Sequence, residues 1–351
     1  MKTYKNSALL VIYSLMLSAF GIMLIIYSEQ VGWAVKGSVE RCLNVVIPAL
    51  FVFMALSGII IKSGIYSLLS KPFVLLSKRV LKMPQELFSI FLISNIAGYP
   101  IGARLLSELI DEGRINRSSA QIMLCCCFGA GPSFLSSVIG LSLYGSVRIG
   151  LIVFLSCFLS NLIIAFVVCR LFRPEVSKDR AKITFKPEYL TDCVISAGRS
   201  LFLVCAMIIF FSAFTCVLRQ TGFFELFGSK RDIIASLFEI TNITILKRPP
   251  LYMLPYICAI CSFGGICVLL QVYAMVGQRF SFLPFLLSRP VAAVLSGLNC
   301  LWVSKQLLPK ALEAASYDQA VFVKVYNFIP SICLILMIFM LEIKKGVEIS
   351  R

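Results

Sequence analysis

Charge-free apolar stretches as long as a bilayer is thick recur along this chain, and they constrain its fold more than any other feature. Residues 6–28 contain no Asp, Glu, Lys or Arg and follow Lys2 and Lys5. About 20 apolar residues in a helix cross the roughly 30 Å of hydrocarbon. Comparable runs occupy 42–61, 149–169, 194–218, 251–276, 283–303 and 325–341, of which 194–218 and 283–303 each carry one arginine, Arg199 and Arg289. Hydrophobic residues make up 59% of the 351 and charged residues 14%, where soluble domains have about 45–50% and about 25%. Only helices and closed barrels satisfy their own backbone in lipid, and runs of this length are helical. The fold class expected is an all-α polytopic membrane protein. The first run is too long for a signal peptide's apolar core, and no A-x-A-like site follows it, so it is expected to remain as a span.

Several stretches are interrupted. Residues 87–103 are broken by Gly98-Tyr99-Pro100-Ile101-Gly102, where proline removes a donor and glycine loosens the helix. The apolar part before the break is too short to span and the part after it is charged, which predicts a re-entrant hairpin. The run 120–144 is broken at Gly129-Ala130-Gly131-Pro132, and 233–246 is a short apolar piece with Glu239 in its middle. With two re-entrant hairpins set aside, about eight transmembrane helices remain. The cations Lys62, Lys71, Lys78, Arg79 and Lys82, and those of the linker 171–192, mark cytoplasmic segments by the positive-inside rule. Lys344, Lys345 and Arg351 then put both termini in the cytoplasm. The expected organisation is an N-terminal span and outer loop (1–41), a first repeat (42–170), a linker (171–192), a second repeat (193–303), and an outer loop, last span and tail (304–351).

The two halves resemble each other. Residues 47–53, leading to Gly64, align with 198–204, leading to Gly222. Asn95 aligns with Thr241 and Asn242, and Phe128-Gly-Ala-Gly131 with Phe263-Gly264-Gly265. The first repeat begins with a span entering the cytoplasm and the second with one leaving it. Inverted-topology repeats with interrupted helices in corresponding positions signify a secondary transporter with a midplane site. Against the charge rule, the second hairpin is flanked by Arg219, Lys230, Arg231, Lys247 and Arg248. These are read as a mouth that concentrates anions.

The formal net charge of +16 comes with no nucleic-acid-binding signature, so nucleic acid is not an expected partner. There is no histidine, which removes Ser-His-Asp triads, Cys-His pairs and HExxH zinc sites. The 14 cysteines lie almost entirely in apolar stretches and read as small hydrophobes. No metal, cofactor or enzymatic activity is expected.

Ionisable residues in membrane-embedded runs are costly and usually face a cavity or a partner. Glu239 suits proton coupling or hydrogen bonding to substrate, or else a structural pair with Arg289. Arg289, inside the run 283–303, is either that counter-ion or a fork for a substrate carboxylate, and Pro290 beside it predicts a helix start or kink. Asn95, Tyr99, Pro100 and Arg104 at the first break, with Thr241 and Asn242 at the second, form two matching polar tips. Gln271 completes the candidate substrate-binding set. Gly98, Gly102, Gly129, Gly131, Pro132, Gly264 and Gly265 are candidate hinges, although small residues also let helices approach closely.

The stretch Asn95-Ile-Ala-Gly-Tyr-Pro-Ile-Gly-Ala-Arg104 and the following Leu-Leu-Ser-Glu-Leu-Ile-Asp-Glu-Gly113 resemble a block of the YlbJ-type sporulation integral membrane proteins, of the nucleoside-recognition (Gate domain) group. Cys127-Phe-Gly-Ala-Gly-Pro-Ser-Phe134, Leu237-Phe-Glu-Ile-Thr241, Phe263 to Gln271 and Phe285-Leu-Leu-Ser-Arg289 resemble further blocks of that family in the same order. The chain departs at Gly129, where relatives often carry asparagine. The resemblance implies transport of the planar dicarboxylate dipicolinate across the outer forespore membrane. Onto this sequence it carries Asn95, Tyr99, Pro100, Arg104, Glu239, Thr241, Gln271 and Arg289 as functional residues. A nucleoside carrier and a non-transporting spore-envelope protein are the alternatives.

Overall fold

The computed structural model describes residues 2–69, 71–177, 184, 186–246 and 248–315. The packing reported below lies within the unit Met1–Ala311. The expected last span, 325–341, falls outside the described residues.

The architecture is all-helical, as apolar runs in lipid require. α1 (Lys2–Ile26) is followed by α2 (Ser28–Arg41), a π-turn (Cys42–Val46) and α3 (Ile47–Lys62). Residues 28–41, expected as loop, are therefore helical. They contain no proline, and Glu29 and Arg41 sit at the ends where the helix dipole favours them. At the α1–α2 junction the chain bends by 89°. α4 (Tyr66–Leu69) precedes the first hairpin, which consists of α5 (Gln85–Ala97), the Gly98-Tyr99-Pro100 break and α6 (Ile101–Asp111).

α7 (Arg117–Leu124) ends well before the glycines, and residues 125–131 form no helix. α8 (Pro132–Phe134) then runs into a π-helix, Leu135–Leu143. Pro132 at the first helical position starts that segment, because its missing N–H is one the helix would leave unpaired. The expected crossing at 120–144 is thus two short pieces around a wide break.

α9 (Val147–Phe172), α10 (Glu188–Gln220), the segment Leu251–Val276 and Leu283–Leu308 are four helices long and apolar enough to span. The bent pair in α1–α2 brings the number to at most five among the described residues. Between α10 and Leu251 lies α11 (Arg231–Phe238), followed by a 3-10 turn, Ile240–Ile245. The segment Leu251–Val276 contains α12 (Leu254–Phe263) and α13 (Gly265–Val276), divided at Gly264. α14 starts at Leu283 and continues through Pro290, so the helix begins earlier than Pro290 alone predicted.

α9 packs against the π-helix and α12, α10 against α2 and α3, and α13 against α6, α10 and α11. Large apolar side chains such as Leu10, Phe202, Leu287 and Val294 stay exposed on the long helices. An apolar exterior of this extent suits hydrocarbon and not water.

Candidate functional site

The interruptions in the two halves converge. Gly102 opens the first approach, since a Cβ there would lie 1.9 Å from the Cys127 carbonyl oxygen. Gly98, at φ +90°, rests on the Gly131 backbone, and Gly131 packs on the Ile96 carbonyl. The Tyr99 amide donates to the Gly129 carbonyl at 2.7 Å. Gly264 (φ +91°) divides α12 from α13, and a Cβ on it would fall 2.6 Å from Cζ of Phe128. Gly265 (φ +76°) lies against the Leu237 carbonyl at the end of α11. These glycines and Pro132 shape the crossing of the breaks.

Asn95 is the principal stitch. Its Nδ2 donates to the Phe91 and Cys126 carbonyls at 2.8 and 3.2 Å, and its Oδ1 accepts from Asn161 Nδ2 at 2.7 Å. Asn161 also donates to the Phe128 carbonyl at 2.7 Å, while its own Oδ1 is buried without a partner. A Cβ on Gly129 would meet both amides at 3.1 Å, so these two side chains fill the space beside that glycine.

Arg289 is 0% exposed. Its guanidinium lies 4.7 Å from the centroids of Phe128 and Phe285, donates to the Cys125 carbonyl and reaches Ser288 Oγ. Nη1 has no partner. Among the described residues no ion pair joins Arg289 to any carboxylate, so the structural pairing with Glu239 weighed from sequence does not form. The Tyr99 ring stacks on Phe128 at 5.0 Å and 23°, and its buried hydroxyl is also unpartnered.

Glu239 occupies the second break in extended conformation and caps the 3-10 turn. Its carboxylate accepts from the Thr241 amide at 3.0 Å and from the Thr241 hydroxyl. It is buried and lies within electrostatic reach of Tyr99 and Arg41. Asn242 donates back to the Ala235 carbonyl at 3.2 Å, and Gln271 donates to Cys267 Sγ at 3.3 Å. Pro100 precedes α6 at the first break.

Arg104 stands apart from this cluster. It bonds Glu108 at 2.9 Å, the Met54 carbonyl at 3.2 Å and Ser196 at 3.0 Å, tying α6 to α3 and α10. Gly58 leaves room for it beside Cys193. Of the cations read as an anion-concentrating mouth, Arg219 pairs with Asp232 at 3.1 Å and Arg231 with Glu225 at 3.3 Å, and Lys247 lies outside the described residues.

Phe128, Asn161 and Phe285 were not singled out from sequence. Asn161 carried a usable signal, as an amide inside an unbroken apolar span. The apolar reading of the cysteines also passed over the C-x-x-C spacing of Cys258 and Cys261. Both are buried in α12, and no described group of residues could hold a metal ion.

A cavity of about 60 Å³ lies beside the first break, against Val45, Leu50, Phe53, Tyr99, Gly131 and Phe134. Ligand pockets measure about 300–1,000 Å³, so this cavity as it stands does not hold a ligand of that size.

No family model and no solved structure matches the chain. It is 23% identical over 335 aligned positions to the sporulation integral membrane protein YlbJ of Bacillus subtilis (strain 168), covering 81% of this chain and 79% of that protein. Spanning helices and this similarity together mark the chain as an integral membrane protein.

Proposed function

We propose that this protein carries a small organic anion across a membrane, with dipicolinate the substrate that its resemblance to sporulation proteins suggests. The observation that carries the proposal is Arg289, a fully buried guanidinium with no carboxylate partner among the described residues and one nitrogen, Nη1, whose N–H donors are unpartnered. A buried cation without a counter-ion is strongly unfavourable, and a transient carboxylate would supply both the charge and the missing acceptor. The protein is proposed to act as a carrier and not as an enzyme.

In this scheme eight crossings and two re-entrant hairpins form inverted repeats, with both termini cytoplasmic and the outer forespore membrane as the location. Support for the repeats comes from Gly64 and Gly222, which end α3 and α10 with the same φ of 75°, and from an interrupted helix in each half. Rocking of the halves about the site would alternate access, opening the small cavity seen here. Glu239 would sense protons or gate.

Uptake of labelled dipicolinate into sealed liposomes tests the proposal, with protein-free liposomes and Arg289→Ala as controls. Saturable uptake lost in the variant is expected. Sealed, loaded liposomes without uptake would remove dipicolinate as the substrate. Glu239→Gln is expected to keep binding and lose the pH dependence of uptake, and an unaltered pH profile would remove the coupling role.

The unpartnered Asn161 Oδ1 and Tyr99 hydroxyl favour a second reading, a nucleoside carrier, because such groups suit a base and sugar. Competition by uridine but not by dipicolinate would select it.

A further inference from the structure

We propose that the ring of Phe128 occupies the slot that a planar aromatic carboxylate takes during transport, so that Phe128 is a displaceable plug and the site prefers aromatic over aliphatic anions. The proposal rests on the anion-carrier reading and assigns its specificity to one side chain.

The ring of Phe128 has the surroundings a bound aromatic anion would need. Tyr99 stacks on it at 5.0 Å, Phe285 meets it edge-on at 5.0 Å and 70°, and the Arg289 guanidinium lies 4.7 Å from its centroid. Phenylalanine offers that guanidinium only its π-face, and Nη1 stays unpartnered. An aromatic acid in the same place would keep the stacking and add a carboxylate to the free donor.

The backbone around the ring is pinned. The Phe128 carbonyl accepts from Asn161, and the Gly129 carbonyl accepts from the Tyr99 amide. Movement therefore falls to the side chain. The ring reaches from the break of the first half to that of the second, where Gly264 makes room for its tip. The cavity of about 60 Å³ touches Tyr99 but neither Phe128 nor Arg289, and it is too small to take an aromatic acid.

The test is calorimetric titration of the purified full-length protein with dipicolinate, benzoate and glutarate. Glutarate serves as the flexible aliphatic dicarboxylate. Wild type is expected to bind the two aromatic acids at least about tenfold more tightly than glutarate. Phe128→Ala is expected to strengthen dipicolinate binding about tenfold by removing an internal competitor, since apparent affinity scales with the fraction of binding-competent protein. Glutarate should gain by a similar factor, so that the preference for the aromatic acids seen in wild type persists. Phe128→Leu, which keeps an apolar filler, should fall between the two and guards against a folding defect in the alanine variant. Equal binding of glutarate and the aromatic acids, or weaker or unaltered dipicolinate binding in both variants, would overturn the plug. Liposome uptake separates the two ideas. Enhanced aromatic binding without uptake keeps the plug and removes the carrier, whereas uptake with no effect at Phe128 does the reverse.

Discussion

The two helix breaks that the sequence aligns are held together in different ways. At the first, Asn95 bonds to Asn161 of α9 and to the Cys126 carbonyl, and Tyr99 bonds to Gly129, so the tip is fastened to elements distant in sequence. At the second, Glu239 is satisfied by Thr241 and Asn242 by Ala235, all within one short segment. Bonds between elements must break when those elements separate, and bonds within a segment travel with it. The first break is thus cross-linked by hydrogen bonds to distant elements, whereas the polar side chains of the second bond within their own segment.

Substitutions that strike one break and spare the other sharpen this contrast. Gly102→Ala should be the most damaging, because its Cβ would overlap the Cys127 carbonyl oxygen at 1.9 Å and backbone cannot yield cheaply. A loss of about 3 kcal/mol or more is expected, seen as loss of monodisperse protein after extraction. Gly265→Ala, where α13 packs on the end of α11 at the second break, meets the Leu237 carbonyl at 3.2 Å and carries a positive φ, with an expected loss of about 1–3 kcal/mol. If the two variants unfold at the same temperature, the distinction between the breaks fails.

Asn95→Ala leaves Asn161 Nδ2 with one acceptor fewer and removes the bond to Cys126. It should destabilise by about 2 kcal/mol and speed amide exchange in both the first hairpin and α9. Thr241→Val removes a single hydroxyl bond to Glu239, which keeps the Thr241 amide. About 1 kcal/mol is expected, with exchange altered only around 235–245. Faster exchange in α9 after the threonine change would contradict a second break whose polar side chains bond within their own segment.

The smallest effect belongs to the paired ends of α6 and α13. Arg279 donates to both oxygens of Asp111 at 2.8–3.0 Å, with side-chain exposures of 39% and 52%. The guanidinium bond holds the Asp111 carboxyl below its ordinary range. Its contribution is therefore present above the unfolded value of about 3.9 and is lost as pH falls through the lower folded value. Solvent screening keeps that contribution near 0.5 kcal/mol. Asp111→Asn should lower the thermal midpoint slightly at neutral pH and low salt, and the difference should vanish in concentrated salt.

Much of the site was legible because intramembrane polarity is rare enough to stand out. Asn95, Glu239 and Arg289 were conspicuous among apolar neighbours, and all three are buried. Arg104 carried the same signal, yet it closes a network with Glu108 and Ser196 instead of joining the cluster. Composition records that a charge is buried, whereas only packing decides what answers it. Phe128 illustrates the converse. A phenylalanine in a chain with 28 of them has no compositional contrast, and its importance arises wholly from what surrounds it.

By itself the sequence determined the helical, membrane-embedded character of the chain and several of the places where helices break, though not the bend between α1 and α2 or the uninterrupted helix through Pro290. Those are local matters of apolar length, proline and glycine. The tertiary structure decided which breaks touch, that Glu239 and Arg289 do not pair, and that an aromatic ring stands beside a guanidinium whose Nη1 has no partner. Helix formation is governed by hydrogen bonds four residues apart, which a sequence displays directly. Contacts such as that of Arg289 with the Cys125 carbonyl, 164 positions away, are set by tertiary packing, which it does not.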